Sequence, residues 1–149
     1  MSTRVSPIRG YQDLEVWQRA MDLVVEAYGL TKQFPTQERY GLTAQLQRSA
    51  VSIPSNIAEG RGRRGLGGFL YHLSVANGSL MELETQIQIA VRLGYLRDVE
   101  GQGILRRCGE VGRLLAGLSR ALRRRRGVPP GPDTRYPIPG AAAPTGRRY

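Results

Sequence analysis

The sequence predicts an all-α protein: an antiparallel up-down four-helix bundle followed by a disordered C-terminal tail. Three observations carry this. Apolar residues recur at alternating spacings of three and four through most of residues 12–126, which is the period of one helix face. The interruptions are short and built of proline, glycine and polar residues, as expected between antiparallel neighbours. No stretch carries a competing strand pattern. At 149 residues the chain suits one domain, large enough to fold without disulfides or a metal. It divides into a flexible head at 1–11, the bundle at 12–126 and a tail at 127–149.

The first helix is predicted over 12–33, with Leu14, Trp17, Met21, Val24 and Tyr28 as its apolar face. Phe34-Pro35 ends it, because proline pushes the residue before it out of the helical region. Thr36 is the expected N-cap of the second helix, although Arg39 stands where a capping box would place an acid. That helix runs from about Gln37 to Gly60 on Leu42, Leu46, Ala50, Ile53 and Ile57. Pro54 lies inside it, leaves the Ala50 carbonyl without its helical donor and predicts a kink.

A glycine-punctuated basic connection, RGRRGLGG at 61–68, leads into a third helix at about 67–93. Leu73, Ala76, Leu80, Leu83, Ile87 and Ala90 form its face, and Gly94 is a natural C-terminal stop. Asp98 opens the fourth helix, which runs to about Arg126 on Ile104, Cys108, Val111, Leu115, Leu118 and Leu122. A second stripe of small residues, Gly109, Gly112, Ala116 and Ser119, predicts a second packed face on this helix. The tail from 127 onward is rich in proline, glycine and arginine, and holds too few large apolar residues to offset its ordering entropy.

Composition excludes several classes of function. Cys108 is the only cysteine and His72 the only histidine. Disulfide scaffolds, four-cysteine zinc sites and two-imidazole metal centres are therefore excluded, and a reducing cytoplasm is the expected compartment. The first ten residues hold no apolar run of signal-peptide length, and no stretch is apolar enough to span a membrane. Lys plus Arg is 22 against 12 for Asp plus Glu, a net charge of +10. The pI of about 10.8 is the electrostatic footprint of a nucleic-acid binder. All but one of the basic residues are arginine, whose planar fork fits phosphate in bidentate fashion.

Three groups of residues stand out. On the fourth helix Arg106, Arg113 and Arg120 repeat every seven positions, Arg107 flanks them, and Arg123, Arg124, Arg125 and Arg126 form an unbroken run. Only Asp98, Glu100 and Glu110 oppose them, too few for a solvated face held by i,i+4 pairs. Adjacent like charges gain most when a polyanion arrives, so this helix is expected to bind phosphate. Arg61, Arg63 and Arg64 on the connection form a second basic cluster, with backbone amides nearby to assist.

The third group is polar. Ser49, Ser52, Asn56 and Glu59 share one face of the second helix around Pro54. They are expected to repair the backbone there, with Glu59 pairing an arginine. A ligand or partner pocket is the alternative. His72, Ser79, Glu82 and Gln86 make a similar stripe on the third helix. Ser49, His72 and Glu59 or Glu82 do not make a catalytic triad, because a mid-helix serine has neither a strained turn nor an oxyanion hole. Glu59, Glu82 and Glu84 lack the two Glu-x-x-His motifs of a bundle di-metal site. No catalytic residue, metal or cofactor is expected.

The runs DLEVWQRAMDLVVEAYGLTKQFPTQERYGLTAQLQRSAVSIPSNIAEGRGR and FLYHLSVANGSLMELETQIQIAVRLGYL cover about 13–96. They resemble the small bacterial four-helix-bundle family known as the 23S rRNA intervening-sequence proteins, with SIPSNIAEG as a specific signature. The resemblance implies barrel-like homopentamers, some encoded inside intervening sequences of 23S rRNA genes. It also implies kinship with the accessory protein of diversity-generating retroelements, which binds nucleic acid through a basic surface and partners a reverse transcriptase. Through it, Ser49, Ser52, Pro54, Asn56, Glu59 and Gly60 are expected to fix a bend and a subunit contact. No catalytic residue is established for the family. The glycines at 65, 67 and 68 depart from its usual polar start of the third helix, and the tail is not a family feature.

The expected function is a non-enzymatic, oligomeric nucleic-acid-binding module, RNA being the favoured ligand. A structural adaptor for a protein such as a reverse transcriptase is the alternative. No membrane partner is expected.

Overall fold

The computed structural model describes residues 10–125. The predicted tail at 127–149, residues 1–9 of the predicted head, and Arg126 lie outside the described residues. Four helices make up the fold: α1 Glu15–Thr31, α2 Leu42–Arg61, α3 Leu66–Arg92 and α4 Asp98–Arg125. Two 3₁₀ turns, Tyr11–Asp13 and Thr36–Glu38, precede α1 and α2. Among the described residues there is no strand.

Each helix touches two others, in the cyclic order α1, α2, α3, α4. Residue pairings give the directions. Ser49 meets Glu82 and Ser52 meets Ser79, so α2 and α3 run antiparallel. Gly112 lies beside Leu80 and Gly101 beside Val91, so α3 and α4 do as well. One core fills the space between the helices, with Leu23, Leu46, Ile53, Ile57, Leu73, Leu80, Leu83, Ile87 and Ile104 almost completely enclosed.

The α3 face is buried at all six predicted positions, and on α2 only Leu42 of the predicted face stays partly exposed. On α4 only Leu118 is half-buried. The face of α1 differs. Its buried residues are Val16, Ala20, Leu23, Ala27 and Thr31, while Met21 and Tyr28 remain 39% and 43% exposed. Two adjacent stripes of α1 satisfy the helical period. The smaller one, with alanine at 20 and 27, turns inward because it lets neighbouring helices approach closely. Of the larger one, Leu14, Trp17 and Val24 pack against the edge of the core, and Met21 and Tyr28 face outward.

Helix ends also depart from expectation. Thr36 opens a 3₁₀ turn and caps nothing with its side chain. Instead Glu38 accepts the Leu42 amide at 2.8 Å, so a carboxylate on the preceding turn holds the start of α2. Tyr11 belongs to the ordered body: it packs edge-on to Trp17 at 5.3 Å. Gly94 stops α3 as predicted. Its φ is 77°, its amide bonds the Val91 carbonyl and the Tyr95 amide bonds the Ala90 carbonyl, the full Schellman pattern.

Candidate nucleic-acid interface

The antiparallel course of α3 and α4 decides where the arginines meet. α3 begins where α4 ends, so the RGRR connection and the C-terminal turns of α4 arrive at one end of the bundle. There Arg61, Arg63, Arg64 and Gly65 from the connection and Arg125 from α4 line a single cavity of about 470 Å³. Its floor is apolar, with Leu14, Leu66, Phe69, Leu118 and Leu122. Two basic clusters far apart in sequence thus share one site.

Local structure keeps this site open. The α2 helix closes on Gly62, whose amide bonds the Ala58 carbonyl. Gly65 is extended (φ −120°, ψ 153°) and provides no side-chain cap to α3. The first intrahelical bond runs from the Phe69 amide to the Gly65 carbonyl, leaving the amides of Leu66, Gly67 and Gly68 without helical acceptors. These amides sit at the positive end of a 27-residue helix.

The arginines are not equivalent. Arg63 lies 2.7 Å from Glu59, and its stem packs over Gly68. Among the described residues no carboxylate comes within ion-pair distance of Arg61, Arg64, Arg124 or Arg125, and all four are exposed. Arg107 is different again. It crosses to α1 and pairs with Glu26, whose carboxylate raises the guanidinium pKa further by hydrogen bond and charge. Arg107 therefore ties α4 to α1, and its charge is already satisfied. Arg106 and Arg113 border a shallow depression on α4 with Gln102 and Glu110. Arg113, Arg120 and Arg123 line a groove of about 510 Å³ between α3 and α4. Gly109, Gly112, Ala116 and Ser119, predicted to form a second packed face of α4, line this open groove instead, with Gly112 alone of the glycines close to α3, at Leu80.

The polar residues around Pro54 form a bridge between α2 and α3. Ser55 donates to the Val51 carbonyl and Asn56 to that of Ser52, both at 2.8 Å. Ser49 and Ser52 instead reach across to Glu82 and Ser79. Both Asn56 amide protons are taken by Ser52, so its Oδ1 accepts from His72 Nδ1 at 3.1 Å. Ser49 bonds Glu82 and His72 bonds Asn56, so serine and imidazole are not joined. Gly60 completes this contact, because a Cβ there would stand 2.8 Å from the His72 Cβ. Gln45 and Arg48, which the sequence pattern did not single out, join Gln86 in lining a polar groove of about 430 Å³ beside Ser49. Among the described residues no group of three His, Cys, Asp or Glu side chains is placed to hold a metal. No described helix is long and apolar enough to cross a membrane.

The profile of the 23S rRNA-intervening sequence protein family matches residues 12–117, more than half of the chain. The chain belongs to that family. No curated protein matches it. In this 23S rRNA-intervening sequence protein the matched stretch holds the RGRR connection, the α2–α3 bridge and Arg107. It ends before Arg120, so Arg125, which completes the end cavity, lies beyond the shared part.

Proposed function

We propose that the protein is a non-enzymatic, oligomeric nucleic-acid-binding module that holds RNA at the arginine-lined end of the bundle. One observation carries this reading: Arg61, Arg64 and Arg125 converge on one cavity, with no acid among the described residues that line it. Unpaired guanidiniums beside open helix-start amides suit backbone phosphate oxygens, and the apolar floor suits a sugar or base face. The family's name, with its link to 23S rRNA, favours RNA over DNA. Binding of this kind follows phosphate geometry and charge more than sequence. Several copies, each with ten net positive charges, would strengthen the field that draws a polyanion in.

The test is fluorescence anisotropy of a labelled, structured RNA against the full chain at rising salt. A variant carrying Arg61→Ser, Arg64→Ser, Arg124→Ser and Arg125→Ser is measured beside it. Each lost phosphate contact flattens the log–log salt slope by about 0.7–0.9, so the variant should bind weakly and with little salt dependence. Equal affinity and slope for both proteins would refute the contact assignment. Absence of binding at low salt would pass the lead to a protein partner, such as a reverse transcriptase.

A further inference from the structure

The floor of the end cavity is apolar where the arginines alone would need no such surface. Leu14, Leu66 and Leu118 are each partly open to solvent, with Phe69 and Leu122 almost enclosed beside them. A phosphate held by guanidiniums gains nothing from leucine side chains, which offer its oxygens no donor. One cavity of about 470 Å³ joins the two kinds of surface. Its occupant must therefore carry an anion and an apolar face close together.

Gly65, in the wall of the same cavity, is a separate observation. Its φ of −120° and ψ of 153° suit any residue, and a Cβ there would meet nothing within 4 Å. Neither the backbone nor the packing calls for glycine. The residue before a helix is also where a hydroxyl or carboxylate commonly caps the first amides. The bare position leaves the wall open at those amides.

A nucleotide has the required composition, and its pairing state decides whether it can use the floor. In a duplex the base faces are covered by their neighbours, and the outer surface is phosphate, ribose and groove edges. Pressing that surface onto leucines would strip water from phosphates and hydroxyls with no hydrogen bond in return. An unpaired nucleotide has a bare ring face. Laid on the floor, it removes apolar surface from water while its phosphates reach the rim, and a guanidinium plane can cover its other face.

We propose that the end cavity is a socket for one unpaired nucleotide of an RNA strand. The base lies on Leu66, Leu118 and Phe69, and the flanking phosphates lie on Arg61, Arg64 and Arg125. The protein then selects single strands, loops and overhangs over duplex. The base is held by its face, so selection falls on pairing state and not on base identity. This inference rests on the proposed RNA site and adds what that site selects.

The experiment measures anisotropy of three labelled RNAs with the full chain at one salt concentration. They are an unstructured strand, the blunt duplex it forms with its complement, and that duplex with a short overhang. Charge alone favours the duplex, which carries more phosphate per unit length, so the order of affinities is diagnostic. The strand and the overhang duplex should bind about fivefold more tightly than the blunt duplex, the lower end of what one stacked base contributes. Leu66→Gln combined with Leu118→Gln makes the floor polar, and Leu66→Gln alone, at the first position of α3, is the milder version. Circular dichroism and urea unfolding check that each is folded. In both, affinity for the strand should fall toward that for the blunt duplex. A wild type that binds all three RNAs without preferring the strand would overturn the socket and leave the RNA site standing. A folded floor variant that keeps the wild-type preference would do the same. A wild type that binds none of them would overturn the RNA site and the socket with it. Adenosine monophosphate binding as tightly as the strand would overturn the strand as occupant and assign the socket to free nucleotides.

Discussion

Gly60 of α2 and His72 of α3 lie in backbone-to-side-chain contact: a Cβ at position 60 would stand 2.8 Å from the His72 Cβ and 3.0 Å from the Phe69 ring. The neighbours are rigid, since one is a Cβ on a helix and the Phe69 carbonyl is only 3.2 Å away. Gly60→Ala should therefore destabilise the fold by about 1–3 kcal/mol, the usual cost of overpacking. Helix propensity alone predicts the opposite sign, because alanine is favoured over glycine inside a helix. Urea unfolding of the two proteins decides between them.

Arg107 and Arg61 separate structure from binding. Arg107→Ala removes the tie between α4 and Glu26. With the Arg107 side chain 59% exposed, the expected cost is about 0.5–1 kcal/mol, and RNA affinity should change little. Arg61→Ala should do the reverse, weakening RNA binding with stability unchanged. Thermal melts and RNA titrations on both variants test the pair. A larger RNA defect in Arg107→Ala than in Arg61→Ala would contradict the division.

Glu84 lies beside the α3–α4 groove, and burial pushes its carboxyl above the usual carboxylate range. The folded protein thus holds this proton more tightly than the unfolded chain does. Its ionised form costs stability at neutral pH, and that cost disappears as pH falls through the carboxylate range and the group is protonated in both states. Glu84→Gln should raise the melting temperature at pH 7 and lose its advantage over the parent near pH 3. Equal gains at both pH values would remove burial of charge as the cause.

Cys108 is fully enclosed, and burial, aided by the Glu84 and Glu26 charges, pushes its thiol up to about 12. Its thiolate fraction near neutral pH is then on the order of a thousandfold below that of a free cysteine. A thiol reagent such as a disulfide dye should label the native protein slowly, at a rate set by unfolding, and denaturant should restore ordinary labelling. Fast labelling of the folded chain would contradict the enclosure of α4.

Large side chains made much of the fold legible. Leu73, Leu80, Leu83 and Ile87 mark the inner face of α3 without ambiguity, and Gly94 marks its end. The same reliance on size misplaced the inner face of α1, where Ala20 and Ala27 pack and Met21 and Tyr28 do not. The start of α2 was hidden because its cap is a carboxylate on a preceding turn, Glu38, and not a hydroxyl at the first position. Each arginine cluster was visible by itself. Their convergence was not, because it depends on the direction in which α4 returns past α3. The partner of Arg107 was hidden for the same reason: Glu26 lies on another helix, and no local spacing points to it.

The end cavity also makes the fold its own detector. Arg125 joins Arg61 and Arg64 only where the folded chain brings the end of α4 to the connection. An anion that settles among them binds the native form and finds no such site in the unfolded chain. Melting temperature should then rise with added polyphosphate, and a ligand at a hundred times its dissociation constant would add about 2.7 kcal/mol. A panel of RNAs of arbitrary sequence could be ranked by that shift alone, without a label on either molecule.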